Sequence, residues 1–328
     1  MARIVAAFGS FHSTMLFSSA ENWLKLFDHV DRKAPVHDTD GTPRPFEHFL
    51  AHRPADADAR IAPDVLRRRD AETNAALDRL ETDIAAAHLD AMIVIGDDQR
   101  EIFLDDCRPA IAIHCGEAIR NAAAPREPTD DWYLADQRRR LEDGADMHYP
   151  CAAPLALHLT AGLTERGFDI AALTSREHGR FEGHAYSFVH RRLMRNGPIP
   201  IVPVFLNTYY APNQPTPERC RGLGEAIGAL VAAWPTDARI GLIASGGLSY
   251  FLVNEELDAR VIAALRTKDL DSLAALPATI LVGGSSEIRN WICVAAAARH
   301  LDLDWLTYVP AYRSKALTGV GLGFASWH

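Results

Sequence analysis

The sequence lacks several features that mark common structural classes. It has five cysteines and no C-x-x-C pair, and the odd number of widely spaced thiols argues against a disulfide framework or a thiolate zinc site. No apolar run approaches the roughly 20 residues that a membrane-spanning helix needs. We therefore expect a soluble, cytoplasmic protein that does not associate with a membrane.

Positive charge is also scarce. The chain has 34 Lys and Arg against 43 Asp and Glu, a net charge of −9, and no run of Lys or Arg that concentrates positive charge for phosphates. Nucleic acid is therefore not an expected partner, since phosphate binding needs concentrated positive charge. Residues 1–10 predict a first β-strand rather than a signal peptide, because no basic segment or long apolar segment precedes them.

The 328 residues are 48% apolar and 23% charged, as in ordinary globular proteins. The length permits two domains, but α/β enzymes of this size often close around one sheet, and we predict a single catalytic domain over residues 1–328. The least regular stretches, residues 33–63 and 122–147, are polar and rich in Pro and Asp. They predict loop or lid insertions on the surface.

Short apolar runs alternate with longer Ala- and Leu-rich helical patterns, which indicates the α/β class. The predicted strands are Ile4–Phe8, Ala91–Ile95, Ile111–Ile113, Ile201–Leu206, Ile240–Ala244 and Thr307–Val309. The predicted helices are Asp64–Leu89, Pro154–Arg166, Thr216–Trp234 and Ser286–His300, with Thr216 as an N-cap and Pro217 in the first helical position. We expect helices on both faces of a central, mostly parallel or mixed sheet.

Ligands of open α/β sheets bind beyond the carboxyl ends of the strands. The polar residues that directly follow predicted strands are Ser10 and His12, Asp97-Asp98-Gln99, His114, Asn207-Thr208-Tyr209, and Ser245-Gly246-Gly247. Histidine and carboxylate ligands with open positions suit a non-heme Fe(II), whereas a structural zinc needs four protein ligands. Asp97 and Asp98 are also typical of a turn whose carboxylates accept backbone N–H groups.

Seven segments in order carry a resemblance to a known family. They are Phe11-His12-Ser13-Thr14-Met15-Leu16, Gly96-Asp97-Asp98-Gln99, Gly183-His184-Ala185-Tyr186-Ser187-Phe188, Pro203–Tyr209, Ala244–Ser249, Asn254–Asp258 and Gly284–Trp291. In these segments the chain resembles the class III extradiol dioxygenases, which include the protocatechuate 4,5-dioxygenase beta chain and the gallate and 3-O-methylgallate dioxygenases. The resemblance implies an α/β sandwich in which two histidines and a glutamate hold Fe(II).

By this resemblance His12 is the first iron ligand and Glu256 is the glutamate ligand, with a one-residue shift to Glu255 left open. The second histidine is missing, because Gln99 stands at its position. Three outcomes stay open: Gln99 or Asp98 coordinates the metal through oxygen, His48 or His52 supplies the missing nitrogen, or the metal site is altered or lost.

The resemblance also implies that His184 is the acid and base of catalysis. His178 competes for this role, since it too lies beside a glycine. An imidazole with a pKa near the working pH suits the transfer of a phenolic proton. Substrates of the family commonly carry a carboxylate, for which Arg289 and Arg313 are candidates, and Tyr250 replaces a histidine of relatives and is a candidate substrate contact.

We therefore expect an Fe(II)-dependent dioxygenase that opens the ring of a catechol-type or O-methylgallate-like aromatic acid with O2, and that works as a homodimer. Two alternatives stay open. One is a metal hydrolase or lyase that does not use oxygen, and the other is a catalytically silent relative that binds a ligand on the same scaffold.

Overall fold

A computed structural model describes residues 1–26, 31, 36–174 and 181–328. The strands are β1 (Arg3–Ser10), β2 (Val36–His37), β3 (Pro43–Arg44), β4 (Ala91–Asp97), β5 (Ile111–His114), β6 (Ala118–Asn121), β7 (Met147–Pro150), β8 (Ala171–Leu173), β9 (Ile201–Leu206), β10 (Arg239–Ser245), β11 (Tyr250–Leu252), β12 (Leu303–Tyr312) and β13 (Thr318–Trp327). The α-helices are α1 (Ala20–Leu26), α2 (Phe46–Ala51), α3 (Ala57–Arg60), α4 (Pro63–Ala86), α5 (Trp132–Arg138), α6 (Ala153–Glu165), α7 (His184–Phe188), α8 (Pro217–Ala233), α9 (Glu255–Thr267), α10 (Leu270–Ala274) and α11 (Ile288–Ala297).

Within the described residues, a nine-stranded mixed sheet forms the centre of the fold. Its order is β11-β13-β1-β10-β4-β9-β5-β8, and β12 pairs with β13. The four strands β1, β10, β4 and β9 are parallel neighbours, whereas β5 is antiparallel to β9 and β13 is antiparallel to β1. The predicted α/β class with a mostly parallel or mixed sheet is confirmed.

Helices cover both faces of this sheet. Alternate residues of β4 point to opposite faces, as the two-residue period of a strand requires. Ile93 and Ile95 belong to a core shared with α6, α8, α9 and α11, and Met92 and Val94 belong to a core shared with α1, α4 and α7. The central parallel strands are therefore buried on both sides, and their carboxyl ends open together at one edge.

The strongest sequence patterns correspond to real elements. Each of the six predicted strands and four predicted helices lies on a strand or helix of the structure, and the Thr216 hydroxyl accepts the Arg219 N–H as an N-cap. The last predicted helix begins later than expected, at Ile288, because Gly283–Glu287 forms a 3₁₀ turn instead.

Strand β13 was not predicted, although all ten of its residues are buried. Its glycines resemble a loop in the sequence, but they permit close packing. A Cβ at Gly321 would lie 2.1 Å from the Asp258 carboxylate, so that only glycine fits there.

Residues 36–63 contain the β2–β3 hairpin, α2 and α3, and residues 122–147 contain α5 and the first residue of β7. That these segments act as lids stays a prediction. Among the described residues, no helix is both long and apolar enough to cross a lipid bilayer.

Candidate metal centre

Three neighbouring strands bring polar side chains to one edge of the sheet. Asp97 is the last residue of β4, Ser245 is the last residue of β10, and His12 lies two residues beyond the end of β1. Because β1, β10 and β4 are parallel and adjacent, these side chains meet. Glu287, at the end of the 3₁₀ turn, also lies beside His12.

The centre consists of one imidazole and two carboxylates. His12 Nε2 lies 3.6 Å from Asp97 Oδ1 and 3.5 Å from Glu287 Oε2, and the three side chains are 2%, 0% and 1% exposed. His12 Nε2 and Asp97 Oδ1 have no hydrogen-bond partner among the described residues. Buried polar atoms without a partner are costly, so this cluster is suited to a cation that would satisfy them.

Ser245 determines which nitrogen of His12 carries the proton. The Ser245 hydroxyl has a single proton, and it donates this proton to the Ala185 carbonyl oxygen at 2.7 Å. Towards His12 Nδ1, at 3.0 Å, Ser245 Oγ therefore acts as the acceptor. The neutral imidazole then has its proton on Nδ1 and a lone pair on Nε2, which is the form that binds a metal ion.

Glu287 is held in place through both of its oxygens. Oε1 accepts the Tyr209 hydroxyl at 2.6 Å, and Oε2 accepts the Gly247 N–H at 2.7 Å. Burial alone would raise the pKa of Glu287, but His12 and these hydrogen bonds outweigh burial and lower it. Burial and the adjacent Glu287 raise the pKa of Tyr209 well above its usual value, so Tyr209 keeps its proton and remains a donor.

Asp97 is oriented by Gln99. The Gln99 side-chain amide donates to Asp97 Oδ2 at 3.2 Å, which leaves Oδ1 directed at His12. Burial and the nearby Glu287 carboxylate raise the pKa of Asp97 to about 6. Two buried carboxylates beside the same imidazole repel each other when both are ionised, and a cation bound between them would offset that repulsion.

His184 lies beside the centre, at the start of α7. The centroid of its ring is 4.5 Å from that of the His12 ring, in an edge-to-face contact. One ring nitrogen of His184, one ring nitrogen of His12 and one carboxylate oxygen of Asp97 lie within 4.8 Å of one another. His184 Nδ1 contacts Glu101 Oε2 at 2.7 Å. Burial opposes protonation of His184, but Glu101 outweighs it and raises the pKa to about 9, above the near-neutral value expected from the sequence.

The same pairing shifts the pKa of Glu101 in the opposite direction, downwards. Its burial favours the neutral acid, but His184 lowers the pKa of Glu101 to about 2. The His184 backbone N–H also donates to both Glu101 oxygens, at 3.0 Å each. Glu101 therefore fixes both the ring and the backbone of His184.

A cavity of about 350 Å³ opens over the centre. Its walls combine aromatic side chains with a smaller set of polar groups, as small-molecule sites usually do. The lining residues are Phe11, His12, Ser13, Met15, Phe17, Leu26, Gln99, Glu101, Tyr133, Gln137, Arg140, His184, Tyr250, Phe251, Glu287 and Arg313.

The structure places the glutamate expected as a ligand away from His12 and the cavity. Glu256 is an exposed residue in the first turn of α9, and neither it nor Glu255 is among the described residues that line the cavity. Its segment forms a helix start, in which the Asn254 side chain caps the Leu257 N–H. Glu287 occupies the position beside His12 instead. Glu287 lies within the Gly284–Trp291 segment, one of the seven that carry the family resemblance, and this segment could have identified it from the sequence.

The structure also shows where the residues considered as replacements for the missing histidine lie. Asp98 accepts the backbone N–H groups of residues 100, 102 and 103, so it caps a turn as the Asp-Asp pattern also suggested. His48 and His52 lie on or next to α2, in contact with each other, and do not line the cavity. The structure brings Asp97, which was not a predicted ligand, to His12. His178 lies outside the described residues.

Among the predicted substrate contacts, Arg289 lies away from the cavity. Its buried guanidinium donates to the backbone carbonyls of Pro215, Leu281 and Ser286, and it does not line the cavity. Tyr250 and Arg313 do line the cavity. However, Arg313 is buried and paired with Asp31 through two hydrogen bonds.

The carboxyl edge of the sheet thus combines an imidazole, two carboxylates and a cavity, an arrangement that could hold a metal ion and a small molecule. The chain belongs to the family of the catalytic LigB subunit of aromatic ring-opening dioxygenase, whose family model matches residues 48–314. Asp97, His184 and Glu287 fall within the matched residues, and His12 precedes them. No curated protein matches the chain.

Proposed function

We propose that the protein is an Fe(II)-dependent extradiol dioxygenase that opens the ring of a catechol-type aromatic acid with O2. The observation that carries this proposal is the buried cluster of His12, Asp97 and Glu287 beneath a cavity with aromatic walls, in a chain of the ring-opening family.

His12, Asp97 and Glu287 are the residues that would hold the metal. Their donor atoms are one imidazole nitrogen and two carboxylate oxygens, whereas the resemblance implies two histidines and one glutamate. Asp97 thus replaces the nitrogen that Gln99 cannot offer, and the two carboxylates balance the charge of a divalent ion. Fe(II) held by these residues would supply the Lewis acidity and the redox chemistry that ring opening with O2 needs.

His184 is the residue that we assign to proton transfer. Its side chain is 11% exposed and lines the cavity, whereas the three proposed ligands are at most 2% exposed. Because Glu101 holds Nδ1, Nε2 is the nitrogen free to exchange a proton with a ring hydroxyl. Glu101 stabilises the charged imidazolium when the proton is on His184.

The cavity walls suit a flat ring. Phe11, Phe17 and Tyr250 line it, and the edge-to-face contact between Phe11 and Tyr250, at 5.5 Å, fixes the orientation of both rings. Stacking and exclusion of water by such walls would position the substrate over His12 and Glu287.

The test begins with metal-free protein loaded anaerobically with Fe(II), Mn(II) or no metal. O2 uptake and the visible absorbance of ring-opened product are then followed with catechol, 3,4-dihydroxybenzoate and 3-O-methylgallate. We expect one O2 consumed per ring opened, only with metal and not in the His12→Ala variant. Turnover without O2 consumption would instead favour a hydrolase or lyase, and binding without turnover would favour a silent relative. A homodimer in the cytoplasm stays a prediction.

A further inference from the structure

We propose that Arg140 binds an anionic substituent, a ring carboxylate, of the aromatic ligand in the cavity. The identity of the ring rests on the proposed function, whereas the role of Arg140 follows from the charges around the cavity.

Arg140 has hydrogen-bonding capacity that the described protein atoms do not use. It follows α5, and its side chain lines the cavity. Its side-chain hydrogen bond from Nη1 to Glu101 Oε1 is long at 3.5 Å, and its buried Nε has no partner among the described residues. Its backbone is anchored, since the Asn121 side chain donates to the Arg140 carbonyl at 3.0 Å. A guanidinium beside a cavity with a donor to spare is suited to a two-oxygen anion.

Glu101 forms an ion pair with Arg140 at 3.5 Å, but its closer contacts are with His184. The 2.7 Å contact with His184 Nδ1 and the hydrogen bonds from the His184 N–H are all shorter than the contact with Arg140. Glu101 therefore leaves the Arg140 Nε donor without a partner among the described residues.

The other arginine of the cavity wall is engaged elsewhere. Arg313 donates from Nε and Nη2 to the two oxygens of Asp31, and both side chains are at most 1% exposed. Of the two arginines among the described residues that line the cavity, Arg140 thus has the longer carboxylate contact, 3.5 Å to Glu101 against 2.8 Å from Arg313 to Asp31. Tyr133 and Gln137, which precede it on α5, place further polar groups on the same wall.

The test measures anaerobic binding to metal-loaded protein, using 3,4-dihydroxybenzoate and catechol, which differ by the carboxylate. Arg140→Gln should weaken binding of 3,4-dihydroxybenzoate by about 10- to 100-fold, as expected for a charge-assisted contact, and leave catechol binding within about threefold. Arg140→Lys should restore part of the loss. Arg139→Gln is the matched control, because its neighbouring side chain is 64% exposed and does not line the cavity.

Equal weakening of both ligands would overturn the inference, since Arg140 would then act through Glu101 and His184. Unchanged binding of 3,4-dihydroxybenzoate would also overturn it. Wild-type protein that binds catechol but has no preference for the carboxylate would refute this inference alone. Wild-type protein that binds neither ligand would refute the proposed function as well. Metal content and melting temperature of each variant establish that the centre and fold are intact.

Discussion

The Ser245→Ala variant tests how the centre prepares His12 for a metal. Ser245 Oγ accepts the His12 Nδ1–H at 3.0 Å and donates to the Ala185 carbonyl at 2.7 Å, and it is fully buried. The substitution therefore removes both of these buried hydrogen bonds, and His12 becomes free to place its proton on Nε2.

The magnitudes follow from these two contacts. Loss of one buried hydrogen bond costs roughly 1–3 kcal/mol, so loss of both should lower the free energy of unfolding of the metal-free protein by about 2–6 kcal/mol. Loss of the group that orients a ligating histidine typically weakens metal binding by about 10- to 100-fold.

Urea unfolding of metal-free protein and anaerobic Fe(II) titration measure these two effects. The matched control is Ser326→Ala, because Ser326 is also fully buried but contacts His328 at the far end of β13. The control should bind Fe(II) like the wild type. Unchanged Fe(II) affinity in Ser245→Ala, or an equal loss in the control, would refute the reasoning.

Three further predictions concern the centre. Glu287→Ala should abolish Fe(II) binding while Glu256→Ala, at an exposed position, binds normally; the reverse pattern in metal analysis would restore the original assignment. His184→Phe should keep its iron but lose turnover by about 10²- to 10⁴-fold, and loss of iron would make His184 a ligand instead. Glu101 has a folded pKa of about 2, below its usual 4.5, so it stabilises the metal-free protein above pH 4.5, and this contribution disappears as the pH falls towards 2. In Glu101→Gln the free energy of unfolding, measured with urea, should therefore fall less steeply as the pH is lowered below 4.5. An equally steep fall in the variant and the wild type would contradict the pairing of Glu101 with His184.

The layered fold was predictable because its central strands are buried on both faces. Such strands appear as continuous apolar runs, as Ala91–Ile95 and Ile201–Leu206 do. Strand β13 escaped prediction because its close packing against Asp258 requires glycine, and glycine is otherwise a loop signal. Whether glycine is needed in β13 depends on its packing partner Asp258, which is distant in the sequence.

The centre was predictable only in part. His12 and Gln99 follow strands, and strand ends meet in a parallel sheet whatever the detailed packing. The choice between Glu256 and Glu287 depends on which helix start turns towards the sheet edge. That is fixed by long-range contacts, such as the hydrogen bonds from Asn290 to Ser245 and from Trp291 to Gly246, which dock the start of α11 against β10.

The identity of the second metal-holding position is the most direct test of the account. Iron per protein chain should be measured after anaerobic loading and dialysis of the wild type, Asp97→Ala and Gln99→Ala. We predict about one iron per chain in the wild type, none in Asp97→Ala, and retained but weaker binding in Gln99→Ala, because Gln99 only orients Asp97. Full iron occupancy in Asp97→Ala together with loss in Gln99→Ala would contradict the centre of His12, Asp97 and Glu287.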